Sequence, residues 1–113
     1  PSPSISIDEW HHIVLTNDGT TAVFYLDGLP ITTTGVNTKV LSDLTNGLVI
    51  GDGDFRASTS NTAWNGKIDE VGVWNTALTA VDVQRIYNAT TTGKTADLSQ
   101  LTTPPVKWYR MGD

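Results

Sequence analysis

Gly66-Lys67-Ile68-Asp69-Glu70-Val71-Gly72-Val73-Trp74-Asn75-Thr76-Ala77-Leu78-Thr79-Ala80-Val81-Asp82-Val83-Gln84-Arg85-Ile86-Tyr87 is the stretch whose reading decides the fold. Gly66 to Trp74 predicts a strand, Asn75 to Leu78 a sharp turn, and the residues after Thr79 a short helix ending near Asn88. The helix start has a chemical reason. A Thr79 hydroxyl can accept from the backbone of the first turn, and Asp82, three residues on, can reach back to the Thr79 amide. Leu78 before the cap and Val83 after it can pack as a hydrophobic staple. Val83, Ile86 and Tyr87 then form an apolar stripe. A helix of about nine residues is marginal in water, so it has to dock on something.

Working outward, the chain alternates short apolar runs with turn chemistry. Trp10 to Thr16 reads as a strand, Asn17-Asp18-Gly19-Thr20 as a turn, and Ala22 to Leu26 as a second strand. Asp27-Gly28 fits a two-residue type I′ loop, which needs positive φ at both positions. Pro30 to Thr34 would be the return strand, at an edge because proline cannot donate to a ladder. Thr38 to Leu44 is ambiguous between strand and loop. Gly47 to Gly51 reads as a short buried strand, Asp52 to Asn65 as a long polar loop, and Ala89 to Pro105 as a polar, Thr-rich extension. Val106 to Met111 is a candidate final strand.

Composition sets the outer limits. The 113 residues allow one domain and one core. Seven basic against twelve acidic side chains give a net charge of −5, which argues against a nucleic-acid partner. No apolar run is long enough to span a membrane, and no basic amphipathic helix suggests membrane binding. With no cysteine there is neither a disulfide framework nor a thiolate metal site. Pro1-Ser2-Pro3-Ser4 does not resemble a signal peptide and reads as a linker or a cut inside a longer chain.

Several of these pieces, in this order, resemble one family. Trp10-His11-His12-Ile13-Val14-Leu15-Thr16 resembles a Trp-x-His-Val-x-x-Thr strand. Phe24-Tyr25-Leu26-Asp27-Gly28 resembles a Leu-Tyr-Val-Asp-Gly hairpin, and Leu48-Val49-Ile50-Gly51 a Leu-x-Ile-Gly strand. Gly66 to Val71, with Ala77-Leu78-Thr79, resembles Gly-x-Ile-Asp-Glu-Val…Ala-Leu-Ser. The family is that of the laminin-G-like, concanavalin A-like lectin/glucanase jelly-roll domains, and the resemblance covers about residues 10 to 88. It implies an all-β fold: an antiparallel concanavalin A-like jelly-roll sandwich with one short helix at about 79–88. The organisation expected is a lead-in over 1–9, the sandwich over 10–88, and an extension over 89–113 with a strand at 106–111. Trp108-Tyr109-Arg110-Met111-Gly112-Asp113 resembles segments that follow such domains in structural proteins of marine phages.

A complete member has roughly twice as many strands in two packed sheets. This chain resembles the C-terminal portion, so the sandwich is expected to be shortened. Half a jelly roll leaves open edges and an apolar face. A homo-oligomer, with a dimer favoured, is one way to cover them. The tail strand is another.

The resemblance implies a non-catalytic recognition or adhesion module, binding a glycan or a surface protein on an extracellular or virion-surface protein. The alternatives are a structural assembly module that makes subunit contacts only, and a diverged glycoside hydrolase. The hydrolase needs two carboxyl groups about 5–5.5 Å apart on one face in the retaining case. On a strand, Asp69 and Glu70 point to opposite faces. The same alternation gives one packed and one exposed imidazole for His11 and His12. No catalytic residue is therefore assigned. Trp64, with Asn61, Asn65 and Asp54 around it, is the candidate ligand site, because sugars stack on flat aromatic faces while polar side chains hold their hydroxyls; the alternative for Trp64 is packing, as a lid over the open end of the sandwich. Asp52 and Asp54 around Gly53 are candidate oxygen ligands for calcium, which related sandwiches hold at a loop rim. Trp10 and Trp74 are expected to pack in the core, and Trp108 to seal an interface. Asn88-Ala89-Thr90 has the glycosylation pattern, which Thr-rich sequence produces easily by chance.

Overall fold

The computed structural model describes residues 4–31, 49–51, 63–89 and 95–111. The elements are β1 (Ile13–Asn17), β2 (Ala22–Leu26), β3 (Leu29–Ile31), β4 (Val71–Val73), α1 (Ala80–Ala89), a 3₁₀ turn (Leu98–Gln100) and β5 (Lys107–Tyr109). All described pairing is antiparallel. β1, β2 and β3 form one sheet in that order, and β4 pairs with β5 in another. The described chain is thus mostly β with one short helix.

Local chemistry explains both hairpin turns. Between β1 and β2, Asp18 Oδ1 accepts from the amides of Thr20 (2.8 Å) and Thr21 (2.7 Å), and Asn17 Oδ1 from Gly19 (2.8 Å). Those bonds hold the Asp18 carboxyl below its ordinary value. Between β2 and β3, Asp27 (φ 51°) and Gly28 (φ 80°) both take the left-handed conformation expected of a type I′ loop. The register follows, with Leu15 opposite Phe24 and Phe24 opposite Ile31.

Helix α1 begins as its sequence predicts. Asp82 N donates to Thr79 Oγ1 (3.2 Å), while Thr79 N (3.2 Å) and Oγ1 (2.7 Å) donate to Asp82 Oδ2. Leu78 and Val83 are both buried. The helix docks on the first sheet at the β2–β3 turn. A Cβ on Gly28 would lie 2.9 Å from Tyr87 Cδ1, so only glycine lets the helix approach this closely. His12, just before β1, stacks on Tyr87 with ring centroids 6.1 Å apart.

The core combines Tyr25 from the sheet, Leu78, Val83 and Ile86 from the helix region, and Ala96 and Leu98 from the extension. Val14, Val23, Trp74, Leu101 and Trp108 pack against it. The extension is therefore structural as well as polar. Asp97 caps the 3₁₀ turn through Ser99 N (3.0 Å) and Ser99 Oγ (2.6 Å), which sets Leu98 into the core.

Four expectations are corrected. The first strand starts at Ile13 instead of Trp10, and Trp10 is 67% exposed, outside the core. Trp10 precedes the first residue that β2 pairs, so no sheet face claims its side chain. Val49 to Gly51 is neither strand nor buried: Gly51 turns the chain at φ 86°, and its carbonyl accepts from Trp64 N at 2.7 Å. The strand expected over Gly66–Trp74 shrinks to Val71–Val73, because Glu70 sits at φ 52° and Asp69 Oδ1 accepts from the Glu70 amide (2.8 Å). His11 and His12 are both largely covered, because neither lies on the strand whose alternation would separate them. Thr38 to Leu44 and the possible sequon residue Thr90 lie outside the described residues.

Candidate functional site

Trp64 follows residues 52–62, which lie outside the described residues. Its amide bond to the Gly51 carbonyl ties together the two ends of the 52–63 stretch. Its indole Nε1 donates to Lys67 O at 3.3 Å. Gly66 lies against the ring, since a Cβ there would come 2.8 Å from Nε1. The ring is thereby held at one edge and remains 50% exposed. Asn65 is exposed beside it. Asn61, Asp52 and Asp54 lie outside the described residues, so the structure brings together Trp64 and Asn65 of the candidate ligand set and neither calcium candidate. Among the described residues, no group of three or more His, Asp or Glu side chains could hold a metal ion.

The acidic pair is used differently from the hydrolase pattern. Because Asp69 and Glu70 precede β4, strand alternation does not place them. Glu70, with a side chain only 12% exposed, accepts from Trp108 Nε1 (2.5 Å) and Thr95 Oγ1 (3.0 Å). Arg110 lies 3.7 Å from it and stacks over Trp108, 4.8 Å from the ring centroid. Glu70 thus clamps the extension beside the β4–β5 pair. Trp108 serves this internal seal, and Trp74 packs on the core while donating to Thr103 O at 2.9 Å.

Sequence reasoning missed a polar cluster at the β2–β3 turn of the first sheet. The Asp27 carboxylate reaches back from the hairpin loop and accepts from His12 N (2.9 Å) and His11 Nδ1 (2.8 Å). On the far side of the ring, His11 Nε2 meets Ser6 Oγ (2.9 Å) and Ser6 O (3.2 Å). Ser6 Oγ donates to Glu9 Oε2 (2.5 Å). The bond to Asp27 chiefly raises the His11 pKa. Partial burial pushes Asp27 up, yet the His12 amide and His11 imidazole outweigh it and hold the carboxyl low. Burial lowers the His12 pKa, and its Nδ1 has no hydrogen-bond partner among the described residues.

Ser6, His11 and Asp27 stand in the order of a nucleophile relay, but the proton inventory differs. A serine nucleophile needs an unprotonated Nε2 to take its hydrogen. Here Ser6 gives its hydrogen to Glu9, and Nε2 faces a carbonyl that can only accept. The signal available in the sequence was a type I′ aspartate paired with a histidine one position before the packed one.

Comparison with known proteins settles the family. The family model described as the concanavalin A-like lectin/glucanases superfamily matches residues 1–84. The chain belongs to that superfamily. The match begins earlier than the 10–88 span of the quoted motifs and ends within α1. Among solved structures, residues 221–444 of an S-layer domain-containing protein from Clostridium thermocellum align with a TM-score of 0.59 at 21% identity. The alignment covers 75% of this chain and 42% of that one, so the chain spans less than half of its structural neighbour. At that identity the likeness is one of fold. No curated protein matches the chain.

Proposed function

We propose that this domain is a non-catalytic recognition module of an extracellular or surface-displayed protein, and that it takes carbohydrate at the Trp64 loop. The carrying observation is the half-exposed indole, held at its edge by Lys67 O and Gly66 with apolar ring surface left to solvent. Such a ring suits the C–H face of a sugar, and Asn65, Asn61 and Asp54 supply hydroxyl partners nearby in sequence. Asp52 and Asp54 would order the loop by sharing a calcium ion. Membership of a lectin-containing superfamily supports this reading, and the S-layer neighbour favours a surface location. The test is calorimetric titration with a panel of neutral and acidic oligosaccharides, with calcium and with chelator. Trp64→Ala should weaken binding by about tenfold or more, ~1.4 kcal/mol. Unchanged affinity in that variant would remove Trp64 from the site.

A second reading, assembly through the first sheet, also has its own observation. Ile13, Leu15, Phe24, Leu26, Leu29 and Ile31 share one face, and Leu15 is 52% exposed there. The opposite face, with Val14, Val23 and Tyr25, packs on the core. Strands apolar on both faces are those of a sheet covered on both sides, which supports one layer of a two-sheet sandwich. Contiguous exposed apolar side chains of this kind are where interaction sites form. A face of three short strands is small beside the ~1,200 Å² of a stable interface, so a weak dimer is expected where two copies meet. Sedimentation across the micromolar-to-millimolar range should show association that Leu15→Lys abolishes while the circular dichroism spectrum stays unchanged. A monomer at every concentration sinks this second reading.

A further inference from the structure

We propose that His11 is a pH-sensitive tie that holds the lead-in, residues 4–9, against the β2–β3 hairpin. With the Ser6 hydroxyl committed to Glu9, the geometry sets the proton count. Nδ1 faces the Asp27 carboxylate at 2.8 Å, and Nε2 faces both the Ser6 hydroxyl at 2.9 Å, whose hydrogen goes to Glu9, and the Ser6 carbonyl at 3.2 Å. An ionised carboxylate and a peptide carbonyl are acceptors only, so each ring nitrogen must carry a hydrogen. The ring that satisfies both is the imidazolium.

The groups facing it favour the same form. Asp27 comes from the hairpin loop and Glu9 from the lead-in, and the negative charge of each favours a protonated His11. The neighbouring His12 is kept neutral by burial, and its backbone amide occupies the other Asp27 oxygen. One cation thus sits between two carboxylates on two segments far apart in sequence. Among the described residues, the hydrogen bonds from residues 4–9 toward the sheet run through His11.

Loss of one proton breaks the tie at a defined place. The charge-assisted bond to Asp27 keeps the hydrogen on Nδ1. Nε2 then presents a lone pair to the Ser6 carbonyl oxygen, which is repulsive. Ser6 Oγ can redirect its hydrogen to Nε2 only by abandoning Glu9. Asp27 and Glu9 are also left without the intervening positive charge. The lead-in, with Ile5 and Ile7 exposed on it, is the segment released.

The experiment is a pH titration of the ¹⁵N-labelled protein, reading the ring nitrogens of both histidines and the backbone order parameters of residues 5–9. At pH 6 His11 should carry hydrogen on both nitrogens, with a titration midpoint above 6.5. Order parameters of the lead-in should fall from about 0.85 to below about 0.6 as pH passes that midpoint. In His11→Gln they should be low at every pH. Glu9→Gln, which leaves the hairpin intact, should move the midpoint down. A His11 that is neutral at pH 6 overturns the proposal. So does a lead-in that stays rigid through the titration, because the Ser6 hydroxyl would then have taken over the tie.

Discussion

Two backbone positions show how single residues decide the packing. Gly28 combines a positive φ with a helix side chain where its Cβ would be. Gly28→Ala should destabilise the domain by about 2 kcal/mol or more, since the left-handed conformation alone costs an L-residue about 1–2 kcal/mol. Urea unfolding checks this, and a loss under half that size would mean that Tyr87 moves aside freely. Glu70 also takes a positive φ, at 52°, without being glycine. The Trp108, Thr95 and Arg110 contacts of its side chain hold it there. The sequence marked Asp27-Gly28 as left-handed because Asp-Gly between apolar runs is a strong turn signal. It could not mark Glu70, whose conformation depends on partners 25 to 40 positions later.

At the scale of elements, α1 shows local and tertiary control acting together. Its cap is local and was readable: Thr79 and Asp82 bond reciprocally. Thr79→Ala should cost about 1 kcal/mol of stability, measurable as a lowered thermal midpoint. The Thr79 hydroxyl and amide hold the Asp82 carboxyl below its ordinary value. The cap is therefore complete above pH 3.8 and is lost as pH falls through the lowered folded value. Strand ends were less readable. β4 starts only at Val71 because Glu70 leaves the extended region, whereas the sequence predicts a strand from Gly66. The extension is polar in sequence, with Ala96 and Leu98 as two apolar residues inside it. Their spacing of two becomes meaningful only once Asp97 caps the turn between them.

For the whole molecule, the two histidines set opposite pH dependences. His11 has a raised pKa, so its contribution is complete below 6.5 and is lost as pH rises through the folded value. His12 has a lowered pKa, so the unfolded chain binds its proton more readily and stability falls as pH drops below 6.5. Stability against pH should therefore peak near 6.5, well above the windows of the lowered carboxyls. Thermal melts from pH 5 to 9 check this. His11→Gln should flatten the alkaline limb alone, and a curve that rises steadily through pH 8 would contradict the assignment. The open apolar face belongs to this scale too. Each strand looks ordinary by itself, and the exposure emerges only when Ile13, Leu15, Phe24 and Leu29 are placed side by side by the register.

By itself, the sequence determined the Asp27-Gly28 hairpin and the capped helix, because each rests on residues within a few positions of one another, and it determined the family through short motifs that follow one another in order along the chain. Tertiary structure decided what those elements meet. It set Tyr87 over Gly28, brought Trp108 to Glu70, drew Ala96 and Leu98 into the core, and left Trp10 in solvent. It also assembled the Ser6–His11–Asp27–Glu9 cluster, which no local pattern announces. The physical reason is range. Turns and caps are governed by φ and by hydrogen bonds across three or four residues, whereas burial and proton affinity depend on neighbours supplied by distant parts of the chain.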